Sequence, residues 1–226
     1  MREGKTETAT AAARTEAAGF VLAGGQSSRM GRDKALVPLA GRPLLEHALG
    51  ILREAGLPAS IAGGQPSLAS FAPLVEEAQP GQGPLGGISA ALASTTARLA
   101  VFLPVDLPLL PASLVLYLLR HAALTGSPVT VPAVNGFAET FPAVLDPSIA
   151  PLLERELAAG RRGCFSAFQA AASSLGQSVA VLPVELLLQS GQLNHRRGLA
   201  ASRWFLNVNT DEDLRRAELH LQQLIA

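Results

Sequence analysis

The chain has 226 residues, with 18 Lys plus Arg against 18 Asp plus Glu and a net charge of +0. That length is long for one average domain and short for two, and it is enough to bury a large core without disulfides or structural metals. The charge balance excludes partners that need a strongly basic face, so neither nucleic acid nor an anionic membrane surface is expected, and any phosphate site must be built locally.

The single cysteine, Cys164, rules out an internal disulfide and a cysteine-based metal cage. This fits a reducing, cytoplasmic setting and predicts a small buried side chain at that position. Residues 1–17 are read as a flexible arm and 18–226 as one domain. The arm is polar, rich in Ala and Thr, and mixes Arg2, Lys5 and Arg14 with Glu3, Glu7 and Glu16. No apolar run follows a basic start, so it is not a secretory signal, and its acids argue against a transit peptide.

The stretch Phe20 to Leu36 follows, FVLAGGQSSRMGRDKAL. An apolar strand, Phe20-Val21-Leu22, ends in Ala23-Gly24-Gly25, and a loop carrying Arg29, Arg32, Asp33 and Lys34 comes next. Strand, glycine turn and cationic loop suit a polyphosphate, because glycines let backbone N–H groups approach phosphate oxygens and the cations neutralise them. A Walker A loop would place Lys and Ser or Thr directly after its second glycine, whereas Gly31 is followed by Arg32-Asp33-Lys34. A dinucleotide fingerprint would space its glycines G-x-G-x-x-G, which this loop does not. The stretch resembles instead L-A-G-G-x-S-x-R-M-G-x-D-K, the signature of nucleotidyltransferases that act on nucleoside triphosphates, matched from Leu22 through Lys34.

Beyond it, Gly41-Arg42-Pro43 turns into a helix over Leu44 to Ala55, stopped by Gly56. Short strands are predicted at Pro58 to Ala62 and Pro73 to Val75. A second glycine-rich loop, Pro80 to Gly87, opens a helix over Ile88 to Ala93. Leu99 to Leu103 is a continuous apolar run of the kind found in a central parallel strand, with Asp106 just past its end. Leu99 to Leu119 is long and apolar enough to suggest a membrane span, but Pro104, Pro108 and Pro111 would break the helix and Asp106 would sit near mid-membrane, at a cost of roughly 3 kcal/mol. Strand, loop and helix is the better parse.

A helix over Ala112 to Ala123, strands at Pro128 to Pro132 and Phe141 to Leu145, helices over Pro147 to Ala159 and Cys164 to Leu175, and a strand at Val179 to Val184 follow. Residues 185–202, with the cluster His195-Arg196-Arg197, read as a loop insertion and a solvated charge run. Trp204 to Val208 is predicted as a strand. Thr210 and Asp213 have the spacing of a capping box opening the last helix. The alternation implies a three-layer α/β sandwich with a mostly parallel, Rossmann-like sheet.

Nucleotidyl transfer needs a triphosphate cradle, a divalent cation and a surface that holds the attacking oxyanion in line. Leu22 to Gly25 with Arg29 and Lys34 supply the cradle. Asp106, in Leu-Pro-Val-Asp-Leu-Pro, is the candidate ligand for Mg²⁺, which takes one or two carboxylates and keeps its waters. Arg29, Lys34 and Asp106 are therefore the candidate catalytic residues. Asn207 and Asn209, alternating on the predicted strand, face one way and either bind an acceptor phosphate or metal-bound water, or only stitch strand to helix. His47 reads as a partly exposed helix residue rather than a base.

With LAGGQSSRMGRDKAL at 22–36, PGQGPLGGISAAL at 80–92, DLP at 106–108 and NVNTDEDL at 207–214, the chain is similar to the molybdenum cofactor guanylyltransferases of the MobA-like nucleotidyltransferase family. That resemblance implies the nucleotide-diphospho-sugar transferase fold and transfer of GMP from GTP to the phosphate of molybdopterin. It implies transient contact with other cofactor-synthesis proteins or molybdoenzymes. By analogy, Leu22, Ala23 and Gly24 would contact the nucleotide through their backbone, Lys34 its phosphates, Asp106 the Mg²⁺, and Glu77 the base. The family usually has an aspartate at the position of Glu77 and often an asparagine near Ala62. These departures leave open a CTP-dependent transferase acting on the same pterin or on a sugar or alcohol phosphate, and a catalytically silent nucleotide-binding relative.

Overall fold

A computed structural model describes residues 16–24, 33–77, 79, 81–195 and 198–222. The chain opens on strand β1, Ala17–Leu22, which starts three residues before the apolar run that announced it, inside the predicted arm. A 3-10 turn over Lys34–Leu36 follows, capped by the Asp33 carboxylate, which accepts the Ala35 N–H at 3.0 Å. A small hairpin, β2 (Pro38–Leu39) with β3 (Arg42–Pro43), leads into helix α1, Leu44–Glu54. Strands β4 (Ala59–Ala62) and β5 (Leu74–Val75) come next, then helix α2, Pro84–Ser94. The sequence pattern placed the start of α2 at Ile88. It begins four residues earlier because Pro84 occupies a first-turn position, where its missing N–H costs nothing and its fixed φ is already helical.

Strand β6, Leu99–Pro104, and helix α3, Ala112–Thr125, follow as expected. Next come β7 (Val129–Val134), β8 (Phe137–Ala138), β9 (Ala143–Leu145), α4 (Ala150–Ala158), α5 (Cys164–Ser174) and β10 (Ala180–Pro183). The main sheet runs β10-β7-β9-β6-β1-β4-β5, with β8 pairing β7. β1 is parallel to both β4 and β6, β4 to β5, and β7 to β10, while β9 runs antiparallel to β6 and β7. The mostly parallel sheet is therefore confirmed, with β9 and the short β8, antiparallel to β7, as the reversed strands.

Alternation along the central strands builds the two faces. Leu99, Val101 and Leu103 of β6 join one core with α1 and α3. Ala100 and Phe102 join the other with α2, α4 and α5, where Phe20 and Phe102 stack at 5.3 Å. From β1 the chain passes to β4 on one side, and after α2 it returns to β6 on the other. The ends of β1, β4 and β6 thus flank a topological switch point, the position where open α/β sheets bind ligands.

Two expectations in the C-terminal part do not hold. Residues 185–202 are not a plain loop: Val184–Gln189 forms helix α6, and Val184 and Leu193 are buried in the core. Arg196 and Arg197 lie outside the described residues. Trp204 to Val208 is not a strand. Ala201–Trp204 is a short helix, α7, and the next residues are irregular up to α8, Asp211–Gln222. Burial explains why: Trp204 and Val208 are fully buried while Asn207 is exposed and Phe205 and Leu206 are half-buried, a spacing of four rather than two.

Candidate active site

Lys34 stands on the 3-10 turn just after the glycine loop, and Asp106 stands two residues past β6. Lys34 Nζ donates to Asp106 Oδ2 at 2.8 Å and to Asn209 Oδ1 at 2.6 Å. Three residues from far-separated parts of the sequence thus meet at the carboxyl edge of the sheet. The Lys34 and Asp106 side chains are 17% and 24% exposed, so the pair is partly desolvated yet open enough to exchange partners.

Backbone bonds hold these side chains in place. Val105 N–H donates to Leu22 O at 3.3 Å, extending the β1–β6 ladder to the residue before Asp106. Val208 N–H donates to Asp106 O at 2.9 Å, tying the C-terminal segment to the same residue. Asn209 is set by the capping box that the sequence predicts. Asp213 Oδ2 accepts N–H bonds from Asn209 at 3.2 Å and Thr210 at 3.0 Å, and Asp213 N–H donates to Thr210 Oγ1 at 3.1 Å. The Thr210 hydroxyl, donating to the same carboxylate at 2.8 Å, is the main reason the Asp213 pKa lies below its ordinary value. Asn207 is exposed, and among the described residues no hydrogen bond ties it to Lys34 or Asp106. The predicted asparagine pair is therefore split, because the strand that would have aligned the two does not form.

The residues expected to face a nucleotide gather on the other side of the β1 edge. Leu22 and Ala23 are buried and Gly24 half-buried, with Ala23 N–H donating to Ala62 O at 3.3 Å and Gly63 N–H to Val75 O at 3.1 Å. Glu77 reaches into the gap between these turns. A methyl group placed on Gly63 would lie 2.6 Å from Glu77 Oε1, and one on Gly86 would lie 3.2 Å from Oε2. Gly24 and Gly87 would come within 3.3 and 3.5 Å of Oε1. Four glycines, from two loops and the first turn of α2, thus make room for one carboxylate, and Gly63 has φ +71 besides, so any side chain there would be strained as well as crowded. Burial pushes the Glu77 pKa above its usual 4.5, opposed by a hydrogen bond from the Gln82 backbone. The loop is braced from outside by Arg162, whose Nη1 donates to Gly81 O at 3.2 Å.

Arg29 lies outside the described residues, as do the rest of residues 25–32. His47 is buried, at 9% exposure, not partly exposed as expected: its Nε2 is 2.8 Å from Leu39 O, which turns the ring into the hairpin. His195 Nε2 is 3.2 Å from Leu109 O and its ring packs on Trp204. Cys164 is half-buried, and burial pushes its thiol up to about 11, leaving it protonated and unreactive at neutral pH. Among the described residues no three His, Cys, Asp or Glu side chains cluster to hold a metal.

Sequence reading missed the glycine ring around Glu77 and the direct bond between Asn209 and Lys34. The adjacent pairs Gly63-Gly64 and Gly86-Gly87 were the available signal for the first, since paired glycines after a strand or opening a helix mark close backbone approach. Nothing local signalled the second.

A switch-point crevice of glycine turns beside a Lys–Asp–Asn cluster belongs to the nucleotide-diphospho-sugar transferase fold, here in its three-layer α/β form. The MobA-like NTP transferase domain family matches residues 19–183, and the chain belongs to that family. It is 48% identical over 98 residues to a molybdenum cofactor guanylyltransferase from Xanthomonas euvesicatoria pv. vesicatoria (strain 85-10), covering 42% of this chain, so that it spans about half (50%) of that relative's length. It is 39% identical over 153 residues to a probable molybdenum cofactor guanylyltransferase from Mycobacterium tuberculosis (strain ATCC 25618 / H37Rv), covering 64% of this chain and 75% of that one. Among solved structures, molybdopterin-guanine dinucleotide biosynthesis protein A from Archaeoglobus fulgidus superposes with a TM-score of 0.71 at 24% identity, over 91% of this chain and 98% of that one. A 2-C-methyl-D-erythritol 4-phosphate cytidylyltransferase from Thermus thermophilus shares the fold at a TM-score of 0.62 and 18% identity, over 90% and 98% of the two chains. No described helix is long and apolar enough to cross a membrane.

Proposed function

We propose that this protein transfers GMP from GTP to the terminal phosphate of molybdopterin, releasing pyrophosphate and forming the guanine dinucleotide cofactor. The observation that carries the reading is the meeting of Lys34, Asp106 and Asn209 at the switch-point edge, within a chain of the MobA-like family. Its relatives named as guanylyltransferases supply the choice of substrates.

The backbone of Leu22, Ala23 and Gly24 lines the nucleotide side of the crevice, where Glu77 presents two carboxylate oxygens to the base. Guanine offers N1–H and an amino group side by side, a pair of donors that adenine and cytosine do not match. Lys34, a compact cation with rotatable donors, engages the triphosphate and in doing so exchanges its present partners for phosphate oxygens. Arg29 adds charge to the same cradle.

Asp106 suits Mg²⁺. It is a partly exposed carboxylate beside the phosphate-binding lysine, and Mg²⁺ takes one or two carboxylates with the remaining positions left to water and substrate phosphates. When bound, the cation neutralises charge developing on the α-phosphate and the leaving pyrophosphate. Asn209, its backbone N–H held by Asp213, turns its side-chain amide to the acceptor phosphate, and the exposed Asn207 meets the same substrate from a separate position. No side chain here forms a covalent intermediate. Catalysis on this reading is positioning and charge stabilisation, as in other phosphoryl and nucleotidyl transfers.

The test is to supply GTP, CTP and ATP separately with molybdopterin and Mg²⁺, following pyrophosphate release and product mass. GTP should give a product heavier by one GMP. Product from CTP in preference to GTP would overturn the nucleotide assignment, and pyrophosphate release without a pterin adduct would overturn the acceptor.

A further inference from the structure

Three buried side-chain polar atoms among the described residues lack a hydrogen-bond partner: Gln82 Oε1, His121 Nδ1 and Thr130 Oγ1. Thr130 lies on β7 and His121 on α3, whereas Gln82 lies beside Glu77 at the crevice, two residues before α2. Buried acceptors are nearly always satisfied, so an unmatched one beside a ligand site points to a donor that arrives with the ligand.

The surroundings of Gln82 fix what kind of donor that is. Its amide nitrogen is already engaged, donating to Gln79 Oε1 at 2.9 Å, which leaves the oxygen as the inward-facing end. Its backbone N–H is engaged as well, by the Glu77 carboxylate. A methyl group on Gly86 would lie 2.6 Å from Gln82 Cβ and 3.2 Å from Glu77 Oε2, so the two side chains converge on the same glycine. The two side chains that meet at this glycine carry three oxygens, two from Glu77 and one from Gln82, all of them acceptors while Glu77 is ionised.

Among the common bases, guanine alone presents three hydrogens along one edge, N1–H and the two of its exocyclic amino group. Adenine and cytosine place a ring-nitrogen acceptor beside their amino group, and uracil flanks one N–H with two carbonyls. We propose that Gln82 is a specificity-determining residue whose side-chain oxygen accepts the second hydrogen of the guanine amino group, while Glu77 takes N1–H and the first. This rests on the guanine-nucleotide reading above and adds to it a residue that neither motif matching nor charge would single out.

The experiment measures dissociation constants of GTP and ITP by calorimetry in the presence of Mg²⁺, for the wild type and for Gln82→Met and Gln82→Leu. ITP keeps N1–H and lacks the amino group, so it reports on Glu77 but not on Gln82. Both variants remove the acceptor at similar volume. Each should weaken GTP binding by about tenfold or more, the scale expected when a polar ligand group loses its partner in a closed site, with ITP binding held within about twofold of wild type. Unchanged ITP affinity also shows that the pocket still folds. If GTP and ITP weaken together in both variants, Gln82 supports the loop and does not read the base, and the proposal fails. If neither changes, it fails as well. If the wild type binds CTP more tightly than GTP, both this assignment and the guanine reading fall, an outcome distinct from a wild type that prefers GTP and keeps its GTP-to-ITP ratio in the variants.

Discussion

Asp106 and Lys34 neutralise each other at 2.8 Å, so removing either leaves the other without its charge partner in a partly desolvated place. The two variants differ in what they lose. Asp106→Asn keeps the shape and can still accept the lysine's hydrogen bond, so the fold should persist with a melting temperature near wild type. Its turnover should nearly vanish, because the amide is a poor ligand for a hard divalent cation. A retained rate above about a tenth of wild type at saturating Mg²⁺, equivalent to a loss of only about 1.4 kcal/mol, would show that Asp106 does not hold the metal. Lys34→Ala should weaken GTP binding far more than guanosine binding, since the lost charge acts where the phosphates lie. Equal weakening of the two, measured by calorimetry, would mean that the loop had lost its shape.

The elements that hold these side chains were unequally legible. The strand ending at Leu22 and the apolar run ending near Asp106 could be read directly, because a central parallel strand is buried on both faces and writes its burial as an unbroken apolar segment. The C-terminal segment could not. Trp204 and Val208 are apolar because they plug one core at a spacing of four, and a short apolar run looks the same whether it is a strand or an irregular stretch with two anchors. Glu77's setting was hidden for another reason: the glycines around it come from two loops and a helix start that only the fold brings together.

The capping box at Thr210 and Asp213 was legible and gives a prediction at this scale. Asp213→Ala removes the acceptor for both backbone N–H groups, at a cost of about 1 kcal/mol in stability, and it frees Asn209 to leave Lys34. Thermal melts should show the loss, and KM for the acceptor should rise more than KM for GTP. The pH dependence has a definite sign. Because the folded pKa of Asp213 lies below its unfolded value of 3.8, its contribution is present above that value and fades as the pH falls through the folded pKa. The stability gap between wild type and Asp213→Ala should therefore close in acid; a gap that stays constant down to strongly acidic pH would remove the ionised cap from the account.

Over the whole molecule, the segment after β10 is a third contributor to a site otherwise built from the sheet edge and the α2 loop. It is fastened by the chain's single tryptophan, Trp204, which is fully buried and donates its indole N–H to Leu199 O at 2.7 Å. Trp204→Ala should cost about 3–5 kcal/mol, as large-to-small changes in a packed core do. Denaturant unfolding followed by circular dichroism measures it. An effect below about 1 kcal/mol would show that the segment is held elsewhere. Wild-type tryptophan fluorescence reports the docking of the same segment and should change together with the far-ultraviolet signal if sheet and segment unfold as one unit.

The bond from Val208 N–H to Asp106 O is also a seam between two stretches of very different position in the sequence. All ten described strands precede Asn209, the last of them ending at Pro183. A chain cut after Pro183 would keep every one of those strands together with Lys34 and Asp106, and would lack the residue that shares Lys34 with the carboxylate. The edge at Asp106 is thus closed from outside the sheet, by a segment that docks on it without adding a strand.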